Sequence, residues 1–92
     1  MDTFAFTGVI FQEGEGHTAL CLDLDIASQG STPGEAKQNL FDAVTLHMQS
    51  AFEAGLPFQR PIPPAEDPRN AYPENRLEIF PFKVDVIMRA YV

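Results

Sequence analysis

Hydrophobic and polar positions change their spacing along the chain, and these changes predict a series of short strands and one long helix. Phe4 to Gln12 is rich in aromatic and β-branched residues, which is typical of a strand. Both of its faces are apolar, so we expect it to lie in the centre of a sheet or to contact a second subunit. A glycine-containing turn leads to a second, antiparallel strand from His17 to Leu24, and a short third strand covers Ile26 to Gln29.

The next predicted element is a helix from about Pro33 to Ala54. Thr32 and Glu35 have the spacing of a capping box, in which the Thr32 hydroxyl accepts from the Glu35 amide and the Glu35 carboxylate reaches the Thr32 amide. The helix begins with proline, which needs no N–H at the first helical position. Gly30 is read as a turn residue before the helix, and Gly55 is expected to end it in a left-handed conformation.

Apolar residues form two neighbouring stripes on this helix. Together the stripes are wider than one contact with a sheet requires, so we expect a further contact with the C-terminal segment or with a second subunit. The first stripe comprises Ala36, Leu40, Ala43, Val44, His47 and Ala51, and the second comprises Phe41, Val44, Met48 and Phe52. The predicted exposed positions are Lys37, Gln38, Asp42, Thr45, Gln49 and Glu53.

The chain after the helix is proline-rich and then becomes strand-like again. Residues 56–75 contain six of the eight prolines, which predicts an extended connection across the surface. Pro81 is expected to break the last apolar segment, leaving a strand from about Phe82 to Tyr91 with alternating apolar and mixed faces. The predicted fold is therefore a single α+β domain over residues 1–92, of order β-β-β-α-β, with one long helix packed on an antiparallel sheet.

Charge and cysteine content narrow the possible functions. Thirteen acidic residues against six basic ones give a net charge of −7, which argues against direct binding to nucleic acid and suits a basic partner. The single cysteine permits no intrachain disulfide and fits a reducing compartment. No apolar run approaches the roughly 18 residues of a membrane span. The N-terminus does not read as a secretion signal, so we expect a cytoplasmic protein that does not bind membranes.

Histidine and cysteine give no recognisable metal site. His17, His47 and Cys21 lack the paired spacing of zinc ligands. We interpret Cys21 as a small buried apolar residue, His47 as a packed or interface residue and His17 as exposed at the start of a strand. We expect no metal and no cofactor.

Acidic residues suggest one further alternative. Asp23, Asp25, Glu35 and Asp42 together are the residue types that hold divalent cations in nucleases. The preferred interpretation is that they lie at a strand end and a helix start, where carboxylates favour the helix dipole. We therefore expect no catalytic residue and no enzyme activity, and a divalent-metal nuclease is the third-ranked function.

The segments Cys21 to Thr32, Glu35-Ala36 and Asn39 to Val44 resemble the HicB-like antitoxin family. The shared pattern is a strand that ends in an apolar-acidic turn, then Ser/Gln-Gly-x-Thr, then Glu-Ala and a Leu-x-x-Ala-hydrophobic helix. The similarity covers about residues 5–63, and Ser28 to Val44 is its most specific part. Ser31 stands where the family commonly has an acidic residue.

The resemblance implies a domain likened to a degraded ribonuclease H fold without catalytic carboxylates. It implies a homo-oligomer, a dimer or tetramer, and a protein that neutralises a small basic HicA-type mRNA interferase. Only the N-terminal type of HicB domain is expected, without the DNA-binding domain that many such antitoxins carry. The alternative function is a solitary homo-oligomeric HicB-like module with a structural or regulatory role.

Overall fold

The computed structural model describes residues 3–55, 61–66, 76–85 and 90–91. Five strands form one antiparallel sheet of order β3-β2-β1-β4-β5, and the helix packs on one of its faces. The elements in chain order are β1 (Thr3–Glu13), β2 (Gly16–Cys21), β3 (Ile26–Gly30), α1 (Pro33–Ala54), a short 3-10 helix (Pro64–Glu66), β4 (Arg76–Asp85) and β5 (Ala90–Tyr91). The predicted α+β architecture of three strands, one long helix and a further strand is confirmed, and β1 is the central strand.

The second strand is shorter than predicted, because β2 ends at Cys21 and residues 22–25 form a turn. The turn is closed by a hydrogen bond from the Asp25 amide to the Cys21 carbonyl, of 3.1 Å. Asp25 has a left-handed φ of 54°, a conformation that aspartate tolerates better than most residues. Leu22 and Leu24 are buried from within this turn, which explains why the sequence reads as an uninterrupted apolar strand.

The C-terminal strand also differs from the prediction, since β4 begins at Arg76 and runs through Pro81 without a break. Thr7 lies opposite Pro81, and both backbone groups of Thr7 point away from β4. Its N–H donates to the Asp23 Oδ2 at 2.7 Å, and its carbonyl accepts from the Leu22 amide at 3.0 Å. Pro81 therefore occupies a position where β1 offers no hydrogen bond, and its missing N–H costs the ladder nothing. The predicted strand over residues 82–91 is replaced by the end of β4 and the short β5; residues 86–89 lie outside the described part.

The connection predicted over residues 56–75 is described only at residues 61–66. These include the short 3-10 helix, and the Ile62 amide donates to the Leu22 carbonyl at 3.0 Å. This part of the connection thus contacts the turn between β2 and β3. The remainder of the predicted extended connection lies outside the described residues.

Aromatic side chains dominate the core between α1 and the sheet. The Phe82 ring centroid lies 5.2 Å from Phe41, 5.7 Å from Phe6 and 5.8 Å from Phe80. The Phe80 ring also covers Gly8, its cross-strand partner, so closely that a Cβ at residue 8 would collide with it. Because Gly8 has no side chain, the central strand leaves room there for the Phe80 ring.

The helix buries most of the two predicted stripes. Its buried residues are Ala36, Leu40, Phe41, Val44, Met48 and Ala51, while Ala43 and His47 are half-buried. Phe52 is 42% exposed, although its ring centroid lies 5.5 Å from Phe4, and Leu46 is 65% exposed. Lys37 was predicted to be exposed but is half-buried. Its ammonium group lies 2.9 Å from Glu78 Oε2 and 4.6 Å from the Phe80 ring centroid, which ties the helix to β4.

Candidate acidic cleft and helix groove

An open cleft of about 550 Å³ lies where the β1–β2 turn, the end of β3 and the start of α1 come together. It is lined by Glu13, Glu15, Gly16, His17, Thr18, Gln29, Gly30, Ser31 and Glu35. Three of the described lining residues carry carboxylates, and none of them is a lysine or an arginine. We call this feature the acidic cleft.

The helix start that forms one wall of the acidic cleft is closely capped. Thr32 Oγ1 accepts from the Glu35 amide at 3.1 Å, as the capping box predicts. The Glu35 carboxylate accepts from the Ser31 amide at 3.3 Å instead of the predicted Thr32 amide. Because Ser31 directly follows β3, this hydrogen bond links the end of β3 to the first turn of the helix. Gly55 ends the helix with a left-handed φ of 67°, also as predicted.

Gly30 has a role that the sequence did not indicate. It is the last residue of β3 and does not adopt a left-handed φ. A Cβ on Gly30 would lie 2.5 Å from the Ala36 nitrogen and 2.9 Å from the Glu35 carbonyl carbon. The glycine is therefore required by the close approach of the strand to the first turn of α1, rather than by a turn conformation.

The opposite wall of the acidic cleft is formed by β1 and β2. The buried Thr18 hydroxyl donates to Glu13 Oε2 at 2.8 Å, which fixes that carboxylate against the strand. His17 is half-buried rather than exposed, and its Nδ1 lies 3.2 Å from the Ser31 carbonyl oxygen. Glu15 is exposed in the β1–β2 turn. The sequence indicated only a glycine-containing turn here, because joining it to Glu35 requires the register of three strands.

A second open groove, of about 540 Å³, lies between the outer side of α1 and β5. Its lining residues are Gln38, Phe41, Asp42, Thr45, Leu46, Gln49 and Ala90. The exposed Leu46 side chain is one apolar group of this groove, whereas Asp42 and the two glutamines are polar and exposed.

The acidic residues considered for a nuclease are not brought together. Asp23 lies in the turn after β2 and accepts from the Thr7 amide, whereas Glu35 caps the helix at the other end of that strand. Asp25 is exposed beside Asp23, and Asp42 is exposed on α1. Among the described residues, no three histidine, cysteine or acidic side chains are placed so that they could hold a metal ion. These carboxylates have local structural roles or face solvent.

Cys21, His17 and His47 likewise remain apart. Cys21 is fully buried in the core between the helix and the sheet. Burial raises the pKa of its thiol to about 12, so the thiolate that nucleophilic or metal-binding chemistry requires is scarce. The interpretation of Cys21 as a small core residue is confirmed. Three of the four arginines, Arg60, Arg69 and Arg89, lie outside the described residues.

Comparison with known proteins gives no relative. No protein-family model, no curated protein and no solved structure matches the chain. Within the part of the chain that the structure describes, no helix has the length and apolar character to cross a membrane.

Proposed function

We propose that this protein is a non-enzymatic HicB-like antitoxin that binds and neutralises a small basic mRNA interferase of the HicA type. The same proposal includes a relationship of this fold to HicB-like domains, which are likened to a degraded ribonuclease H fold. The resemblance of the segment from Ser28 to Val44 to the HicB-like family supports the proposal. This segment forms the end of β3, the helix cap and the first half of α1, which is the strand-turn-helix order that the family pattern describes.

The observation that carries the proposal is the acidic cleft. Glu13, Glu15 and Glu35 line one open surface, and none of the described residues that line it is a lysine or an arginine. Lys37, in the first turns of the helix, pairs with Glu78 of β4 and not with a carboxylate of the acidic cleft. With a net charge of −7, this surface attracts a basic protein and speeds its association.

We expect the protein to form a complex with a small basic protein encoded beside its gene, and to relieve the growth inhibition which that protein causes. Glu15→Lys reverses one carboxylate of the acidic cleft that accepts no hydrogen bond needed by the fold. We expect this variant to weaken the complex about tenfold, mainly through slower association, with a smaller effect at high salt. Surface plasmon resonance at two salt concentrations measures both changes.

Glu66→Lys is the matched control, because it raises the net charge by the same two units, from −7 to −5. Glu66 is exposed in the 3-10 helix, and the Ile62–Leu22 hydrogen bond holds that segment at the opposite end of β2 from Glu15. A protein that forms no complex and relieves no growth inhibition contradicts the antitoxin function. Equal weakening by both variants assigns the effect to net charge and contradicts the role of the acidic cleft.

The exposed apolar residues of α1 favour a second candidate, a solitary homo-oligomeric module. Leu46 and Phe52 expose large apolar side chains to solvent, and exposed apolar side chains on one helix can form a contact with another copy. If copies associate through this helix, Leu46→Gln lowers the mass seen in sedimentation velocity while circular dichroism stays unchanged. A wild-type protein that is monomeric at all concentrations rules this candidate out.

A further inference from the structure

On one side the sheet ends in β3, and on the other the two residues of β5 leave most of β4 without a described neighbour, so both sides expose backbone groups that a strand from another chain could pair with. In antiparallel pairing, alternate residues of an edge strand direct N–H and C=O outwards. In β3, Ser28 pairs with Ala19 of β2 and Gly30 pairs with His17. The residues between them in the alternation, Ala27 and Gln29, therefore face outwards. The Asn39 side chain of α1 donates to the Gln29 carbonyl at 2.8 Å, so the helix covers this edge at that point.

The outer edge of β4 is closed in a different way. Because Thr7 directs its N–H and C=O away from β4, the residue opposite it, Pro81, turns its own backbone nitrogen outwards. The same alternation turns the amides of Ile79 and Lys83 outwards. Lys83 pairs with Tyr91 of β5, and β5 pairs with no described residue of β4 beyond Lys83 and Val84. Pro81, two residues before Lys83 in the chain, is therefore the outward position next to the end of the described β4–β5 pairing.

We propose that Pro81 blocks the addition of a second copy of this chain to the outer edge of β4. A proline there removes the donor that an incoming strand would need, and its ring occupies the space in which that strand would lie. Pro81 is exposed, so nothing in the described core requires its side chain. Lys83 is already paired with Tyr91 of β5, so Pro81 is the residue that stands where this pairing stops.

The excluded strand is β4 of a second copy, because every copy presents the same exposed edge at Ile79 and Pro81. Two identical edges can pair antiparallel about a twofold axis, with each strand serving as donor and acceptor for the other. The outward amides of Ile79 and residue 81 would form the centre of that pairing. Ile79 is also 43% exposed, so an apolar side chain would accompany it.

Replacement of Pro81 by threonine tests the proposal, since threonine favours strands and restores the outward N–H. We expect Pro81→Thr to shift the sedimentation of the protein to at least twice the wild-type mass as its concentration rises. Hydrogen exchange at residues 79 and 81 should slow in the associated species. Pro61→Thr, which replaces an exposed proline away from the sheet, should behave as the wild type.

A second variant decides the outcome if Pro81→Thr precipitates. Pro81→Thr combined with Ile79→Pro moves the missing donor to the neighbouring outward position, where β1 again loses no hydrogen bond. Recovery of solubility and wild-type mass supports the proposal, and continued precipitation contradicts it. A folded Pro81→Thr protein with wild-type sedimentation overturns it. So does slow exchange of the new amide at position 81 in a monomer, because that amide would then be bonded within the chain.

Discussion

Phe82→Ala is expected to lower the free energy of unfolding by about 3–5 kcal/mol, the range for removing a large aromatic side chain from a packed core. Phe82 is 1% exposed, and its ring contacts those of Phe6, Phe41 and Phe80. The substitution removes three aromatic contacts and leaves a cavity that the sheet cannot close by moving one side chain. A domain of this size has roughly 5–15 kcal/mol of stability in total, so a large part of the variant is expected to unfold at physiological temperature.

Phe52→Ala provides the matched control, because it deletes the same atoms from the same type of residue. Phe52 is 42% exposed and contacts Phe4 at the end of the helix, so we expect a loss of about 1 kcal/mol or less. Urea unfolding followed by circular dichroism measures both values. Similar losses for Phe82 and Phe52 would contradict the described core, because the two phenylalanines would then be equally buried.

The helix could be predicted from the sequence because its boundaries depend on local interactions. Thr32 and Gly55 act on backbone groups within one turn, and the structure has both caps where the sequence places them. The first strand was also recognisable from a local feature, its run of aromatic and β-branched residues. Recognition failed at Leu22 and Leu24, which are apolar and buried but belong to a turn.

Features that depend on pairing between distant segments could not be predicted. Pro81 was expected to break a strand, and only the orientation of the Thr7 backbone shows that a proline fits there. The acidic cleft has the same origin: Glu13 and Glu35 are 22 residues apart and line the same cleft because His17 pairs with Gly30 in neighbouring strands. One sequence reports the residue types but not the register that joins them.

Gly30→Ala is the second substitution for which we expect a large effect, a loss of about 1–3 kcal/mol, the usual range for overfilling a packed site. The added methyl carbon would meet the Ala36 nitrogen and the Glu35 carbonyl carbon, and both belong to the backbone of the first helical turn. A side chain could rotate away from the methyl group, but this backbone cannot move without disturbing the hydrogen bond from the Ala36 amide to the Thr32 carbonyl, of 3.0 Å. Chemical denaturation measures the loss.

Gly34→Ala makes the same chemical change four residues further along, and we expect the opposite sign. A Cβ on Gly34 meets nothing within 4 Å, and its φ is not left-handed, so the methyl group adds no strain. Because alanine favours the helix over glycine, the gain is up to about 1 kcal/mol. Stabilisation by Gly34→Ala together with destabilisation by Gly30→Ala isolates the contact between β3 and α1 from any general effect of glycine on the flexibility of this segment. A Gly30→Ala protein as stable as the wild type would show that the strand end and the helix start are further apart than described, and the wall of the acidic cleft that they form would then have to be reconsidered.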